Sequence, residues 1–84
     1  MHELAITEGI LRIIEENAAE QHYSKVIEIN LACGELSGVI PECIREVFPF
    51  ASEGTICEGA EVKFTMLPGS RDFYVENIAV EENS

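Results

Sequence analysis

Basic residues are scarce in this sequence, and their scarcity excludes one large class of functions. Only five Lys and Arg residues stand against sixteen Asp and Glu, which gives a formal net charge of −11. Proteins that bind nucleic acid use clustered cations to displace counterions from phosphates, and this sequence has no such cluster. The charge balance therefore argues against a nucleic-acid partner, although it permits a cationic one.

Long apolar runs are missing as well. No stretch approaches the roughly 20 apolar residues that a membrane-spanning helix needs. The chain also starts without the basic and apolar segments of a secretory leader. We therefore expect a cytoplasmic protein that does not enter a membrane.

Cysteines are few and scattered, and the common catalytic motifs are absent. Cys33, Cys43 and Cys57 are odd in number and form no CxxC pair. Neither a disulfide framework nor a self-contained zinc site is expected from them. The glycine-bracketed loop 34–38 lacks the Lys-Ser/Thr pair of a phosphate loop. No Ser-His-Asp or Cys-His arrangement offers a nucleophile, so we do not expect an enzyme.

The start of the chain has the composition of a metal chelator. The amino group of Met1 and the backbone nitrogen of His2 close a five-membered ring on a metal, and that nitrogen with the His2 ring closes a six-membered one. The backbone or carboxylate of Glu3 can supply a fourth ligand. Such nitrogen-rich sites suit Ni(II) or Cu(II) better than zinc or magnesium. The alternative is a Met-His start that arose by chance and frays in solvent.

Residues 4–21 carry the pattern of an amphipathic helix. Its predicted core stripe consists of Ile6, Ile10, Ile13 and Ile14. A second apolar set lies at the edge of that stripe and consists of Leu4, Leu11 and Ala18. This set is either the margin of the core or a docking strip for a partner.

Alternating apolar residues predict strands over residues 24–33 and 60–67, and a high content of strand-forming residues predicts a third strand over residues 72–80. In the first strand Ile27, Ile29, Leu31 and Cys33 share one face, as in a sheet that is covered on one side, and in the second strand Val62, Phe64 and Met66 share one face. The turn Pro68-Gly69 favours a type II geometry, which fits a tight two-residue hairpin poorly. We therefore expect a longer connection, or a last strand that exchanges with a neighbouring molecule to form a homodimer.

A second helix is predicted to begin at Pro41, with Pro49 producing a kink or dividing it into two pieces. Its apolar face is formed by Ile44, Val47, Phe48 and Ala51. The element order is helix, strand, helix, strand, strand. Two amphipathic helices can cover one face of a three-stranded sheet, so the predicted fold is an α+β two-layer sandwich in one domain, residues 1–84.

With these elements placed, the amino-acid sequence resembles that of the HypA/HybF family of hydrogenase-maturation nickel metallochaperones. The matching segments are Met1-His2-Glu3-Leu4, Gly34-Glu35-Leu36-Ser37-Gly38-Val39, Pro41-Glu42, Glu53-Gly54-Thr55, Glu58-Gly59-Ala60 and Ile78-Ala79-Val80-Glu81. The resemblance spans nearly the whole chain, and it implies transfer of nickel and not catalysis.

One departure from the family is large. The family carries a zinc ribbon of two CxxC pairs between its last two strands, and this sequence has none. Leu67-Pro68 is similar to the entry of that ribbon, and residues 69–73 are similar to the segment after its last cysteine. We interpret residues 68–70 as a junction that replaces the ribbon, and we expect no zinc in this chain.

The resemblance implies that Ni(II) binds at Met1, His2 and Glu3, the place that chelate geometry also selects. It further implies two partners, a HypB-type GTPase and the large subunit of NiFe hydrogenase. The first helix follows directly from the metal site and is where we expect that contact. The candidate contact residues are Leu4, Glu8, Leu11, Arg12 and Glu15. The rival hypothesis is a metal-free interaction module whose metal handling needs the missing ribbon.

Overall fold

The computed structural model describes residues 2–81. The elements are α1 (Glu3–Gln21), β1 (Val26–Gly34), α2 (Pro41–Ala51), β2 (Glu61–Leu67) and β3 (Phe73–Val80). The three strands form one sheet in the order β2-β1-β3, and both helices pack against the same core as β1. The predicted α+β two-layer fold is confirmed. Neither helix in the described range has the length and hydropathy that a membrane span requires.

Strand β1 is the centre of the sheet. It runs parallel to β2 through the α2 crossover and antiparallel to β3. Its predicted inward face is correct for Ile29, Leu31 and Cys33, which are buried, but wrong for Ile27, which is 51% exposed. A register shift between Val26 and Glu28 inserts one extra residue into the strand, and this bulge reverses the alternation. Val26 therefore occupies the core in place of Ile27.

Helix α1 buries a different stripe from the predicted one. Ile10 and Ile14 are in the core as expected, but Ile13 is 59% exposed. Leu11 is only 5% exposed and lies in the core cluster with them. Because residues 7, 11, 14 and 18 follow one another at steps of three and four, they form the buried line of the helix. The helix ends at Gln21, and the C-cap residue His22 has a left-handed backbone (φ 61°) and donates its N–H to the Ala18 carbonyl at 2.8 Å.

Helix α2 is one continuous element from Pro41 to Ala51, so the predicted division at Pro49 is wrong. Pro41 occupies the first turn, where a missing N–H costs nothing. Pro49 lies in the last turn, and the Ser52 N–H donates to the Phe48 carbonyl at 2.9 Å just beyond it. The lost hydrogen bond to Arg45 is therefore isolated near the helix end, where it interrupts little.

The connection from β2 to β3 crosses the end of β1 and is not a hairpin. The Glu35 N–H donates to the Leu67 carbonyl at 3.0 Å, and the Leu36 N–H donates to the Ser70 carbonyl at 2.8 Å. The Gly34 N–H donates to the Asp72 carbonyl at 2.7 Å, which completes the crossing. The expected longer connection is thus present, and β3 pairs with β1 of the same chain.

Cys57 provides a pH-dependent test of this core. Its thiol is fully buried, and its pKa is raised from 9.0 to about 11, mainly by burial and further by the negative charge of Glu15. The unfolded chain releases this proton at a lower pH than the folded one, so stability falls as the pH rises from about 9 to 11. We expect a loss on the order of 2 kcal/mol in the free energy of unfolding.

Urea unfolding at pH 8 and at pH 10.5, each followed by circular dichroism, measures this loss (about 1.4 kcal/mol per unit of pKa difference). The Cys57→Ala variant should lose less stability between the two pH values than the parent chain. Cys43→Ala is the matched control, because Cys43 is only half-buried, and it should keep the full loss. Equal losses in all three proteins would contradict the assignment to Cys57.

Candidate metal site

The site predicted at the start of the chain coincides with the beginning of α1. His2 is the N-cap residue, with φ −92° and ψ 88°, and its ring makes no capping hydrogen bond. Its carbonyl accepts the first helical hydrogen bond, from the Ile6 N–H at 3.1 Å. The side chain is exposed. The His2 imidazole is therefore accessible, while its carbonyl is occupied. Met1 lies outside the described residues.

Glu3 is the first residue of the helix and is half-buried. Its carbonyl accepts a hydrogen bond from the Thr7 hydroxyl at 2.7 Å. Thr7 is fully buried, so this bond ties the first turn to the core. Thr7 was not among the residues predicted for the site, although a threonine four residues after Glu3 in a helical pattern is a signal for such back-bonding. The Glu3 groups left for a metal are its carboxylate and its amide nitrogen.

The backbone nitrogens of the first turn have no partner inside the helix. The first bond of α1 runs from Ile6 to His2, so the N–H groups of residues 2–5 precede the helical ladder. Residues 2–81 contain no group of three or more His, Cys, Asp or Glu side chains that could hold a metal ion. A metal at this end would therefore use main-chain nitrogens together with the His2 ring. Such a nitrogen-rich donor set fits Ni(II) or Cu(II).

The expected docking strip on α1 needs correction. Leu11 and Ala18 are buried in the core and cannot contact a partner. Leu4 is 50% exposed, and it does lie on the surface. The remaining candidates, Glu8, Arg12 and Glu15, are also exposed. Together with Leu4 they follow one another at steps of three and four, so the surface stripe of α1 consists of Leu4, Glu8, Arg12 and Glu15.

This chain is similar in sequence and in fold to proteins of one family. The family model described as "Hydrogenase/urease nickel incorporation, metallochaperone, hypA" matches residues 1–72. The hydrogenase maturation factor HypA 1 of Bradyrhizobium diazoefficiens is 44% identical over 69 residues, which are 82% of this chain and 61% of that protein. The hydrogenase maturation factor HypA of Syntrophus aciditrophicus is 43% identical over 68 residues, which are 81% of this chain and 60% of that protein.

The solution structure of the Ni metallochaperone HypA from Helicobacter pylori shares the fold, with a TM-score of 0.72. The superposition covers 92% of this chain and 72% of that chain, at 19% sequence identity. This chain spans about 60% of the length of the curated relatives that it matches. The family model covers most of the chain, and the relatives match more than two thirds of it. The chain therefore belongs to the HypA family.

Proposed function

We propose that this chain is a nickel metallochaperone domain that binds Ni(II) at its amino terminus and passes it to a partner during maturation of NiFe hydrogenase. The observation that carries the proposal is the start of α1, where the His2 ring and the first-turn nitrogens make no helical hydrogen bond. Family membership supports nickel as the cargo. The ligands are the Met1 amine, the backbone nitrogen and ring of His2, and a nitrogen or carboxylate oxygen of Glu3.

At the start of the helix, these ligands can bind a metal without the loss of a helical hydrogen bond. Replacing the amide protons of His2 and Glu3 by a metal breaks no bond of the helical ladder, because the ladder begins at Ile6. Thr7 holds the first turn in place through the Glu3 carbonyl. The chelate therefore forms at the edge of a helix that is already ordered.

Release is favoured by the same location. A helix N-terminus carries partial positive charge, which opposes a cation by about 0.3–1 kcal/mol at an exposed position. The exposed His2 side chain can exchange its ligand bond for one from a partner. Protons compete with nickel for the amine and the imidazole, so affinity falls as the pH falls. These features suit a carrier that must give up its metal.

The partners that we propose are a HypB-type GTPase and the large subunit of NiFe hydrogenase. Their docking surface is the surface stripe of α1, Leu4, Glu8, Arg12 and Glu15, which leads directly from the metal site.

We also propose two structural hypotheses about the last part of the chain. Residues 68–70 are a junction in place of the zinc ribbon, and β3 can exchange between two chains. A strictly monomeric species at all concentrations in dilute solution would contradict strand exchange.

The test of the metal site compares a free and a blocked amino terminus. Nickel is titrated by calorimetry into the chain that begins with Met1 and into the same chain with a Gly-Ser extension before Met1. The extension removes the terminal amine from the chelate while leaving His2 and Glu3 in place. We expect the extended chain to bind nickel at least about 100-fold more weakly, a difference of about 2.7 kcal/mol.

Two outcomes would redirect the proposal. Equal affinity in both chains would place the nickel site elsewhere. No binding by either chain, with the circular dichroism spectrum intact, would favour the rival hypothesis of a metal-free interaction module.

A further inference from the structure

The outer edge of β3 is open in this fold. The sheet order β2-β1-β3 leaves β3 paired on one side only within the described residues. An edge strand presents unpaired N–H and C=O groups that can accept another strand. The other edge, β2, is open in the same way, so the two edges must be distinguished by their surroundings.

A groove of about 300 Å³ runs beside the β3 edge, between β3 and α1. Its apolar lining includes Ile13, Tyr23 and Ile78. Tyr23 is anchored, because its hydroxyl donates to the Ile14 carbonyl at 3.0 Å and contacts the Asn17 amide oxygen at 2.9 Å. The exposed Ile13, which the helical pattern had predicted for the core, is thus part of the groove wall. The groove offers a pocket for apolar side chains next to a free strand edge.

The charge of this groove is negative. Glu76 is its only charged lining residue, and it is exposed. A register shift between Asn30 and Leu31 gives Glu76 no partner on β1, so it is the extra residue of a bulge at this edge. Glu20 lies seven positions after Ile13 on α1, which places it on the same side of the helix. The groove lining therefore contains a carboxylate and no cation.

The β2 edge has the opposite character. Its neighbouring groove is lined by Arg45, Lys63 and Glu61 among others. Lys63 pairs with Glu28 at 2.7 Å, and with Arg45 it gives this groove two cations, which would repel a basic segment. The β3 edge, whose groove lining contains no cation, is therefore the better candidate for a basic strand.

A second copy of this chain is a poor occupant of the groove. Each copy has a formal net charge of −11 with five Lys and Arg residues. Three of those cations are already engaged, Lys25 with the Glu58 carbonyl, Arg45 with Glu42 and Lys63 with Glu28. Bringing two such surfaces together costs electrostatic energy and leaves only Arg12 and Arg71 of each copy for new ion pairs, whereas a basic segment supplies its own cations.

We propose that an extended basic segment of a partner protein adds as a strand to the outer edge of β3. Its alternate apolar side chains fill the groove beside Ile13 and Ile78, and its lysine or arginine side chains pair with Glu76 and Glu20. Main-chain hydrogen bonds to β3 supply affinity, and the groove supplies specificity. This surface is separate from the start of α1, and the proposal does not depend on nickel binding.

The probe for this test is a short, end-blocked peptide of alternating lysine and valine. It is titrated into the isotopically labelled chain at physiological ionic strength, where the Debye length is about 8 Å. We expect amide shifts at residues 76–80 and at Ile13 and Asn17. The same peptide with alternate backbone nitrogens methylated should not bind, because it cannot pair with a strand edge.

Two matched pairs of variants locate the contact. Glu76→Lys and Ile13→Ser change exposed groove residues and should each weaken binding by about tenfold. Glu61→Lys reverses an equally exposed charge at the β2 edge, and Ile27→Ser removes an exposed isoleucine outside the groove. Both of these controls should bind as the parent chain does. Their folds are compared by circular dichroism.

The other outcomes overturn the proposal. Shifts centred on residues 61–63 would assign the strand to the β2 edge. Diffuse shifts over α1 that the methylated peptide reproduces would indicate non-specific attraction to acidic residues. A peptide of alternating glutamate and valine that binds equally well would remove the role of Glu76. A dimer of the free chain that Glu76→Lys disrupts would make a second copy the occupant.

Discussion

Gly34→Ala should strongly destabilise this protein, although it adds only a single methyl group. A Cβ at residue 34 would meet the backbone of the β2–β3 connection, 2.6 Å from the Ser70 carbonyl carbon and 2.9 Å from the Asp72 nitrogen. Backbone atoms cannot move aside as a flexible side chain can. The added carbon would also separate the Gly34 N–H from the Asp72 carbonyl, which are now 2.7 Å apart. We expect a loss of about 3 kcal/mol or more in the free energy of unfolding.

Gly9→Ala is the matched control for this prediction. Gly9 lies inside α1, and nothing lies within 4 Å of a Cβ added there. The same substitution at this position should stabilise the chain by up to about 1 kcal/mol, because alanine favours a helix over glycine. Urea denaturation of the three proteins gives both differences. If Gly34→Ala were as stable as the parent chain, the connection would not be packed against β1 as described.

Periodicity predicted the elements of this fold because each element buries one side. The helices and strands lie close to the predicted ranges, and the class follows from their order. The residues whose burial was wrongly predicted lie where local geometry changes the phase of the apolar pattern. Ile27 is exposed because a bulge precedes Glu28. Ile13 is exposed because the groove beside β3 leaves the edge of α1 uncovered.

The strand order could not be predicted from the same information. Alternation shows that β2 and β3 each have an inner face, but it does not show which neighbour each strand takes. The order β2-β1-β3 depends on the α2 crossover and on a connection that fits over Gly34. Pro68-Gly69 did indicate that β2 and β3 would not form a tight hairpin. The close approach of the β2–β3 connection to Gly34 can be seen only when the backbones of both segments are in place.

The candidate metal site depends partly on sequence and partly on the fold. Its proposed ligands come from the sequence alone, because chelation by adjacent residues is a matter of covalent geometry, and they stay a prediction. The anchoring role of Thr7 could not be predicted, since it needs the helix and the core together. Leu11 shows the opposite error, a surface assignment for a residue that the core requires. Patterns of one element cannot decide between two adjoining sides of a helix when both are apolar.

His2→Asn should strongly weaken nickel binding while leaving the fold at least as stable. Asparagine removes the imidazole ligand, and loss of one chelate ring should weaken nickel binding by about 100-fold or more, equivalent to about 2.7 kcal/mol. His2 is the N-cap of α1 without a capping hydrogen bond. Asparagine is among the preferred N-cap residues, so the thermal midpoint should stay the same or rise. The measurements are calorimetric titration with nickel and visible absorbance of the complex.

His22→Asn is the control, because it makes the same exchange at the opposite end of α1. His22 has a left-handed backbone, which asparagine tolerates, so this variant should fold as the parent chain does. The 19 residues between the two histidines span about 28 Å in a helix, too far for both to hold one metal. Nickel binding should therefore survive in His22→Asn. Loss of binding in that variant with retention in His2→Asn would move the metal site to the far end of α1 and contradict the proposed chelate.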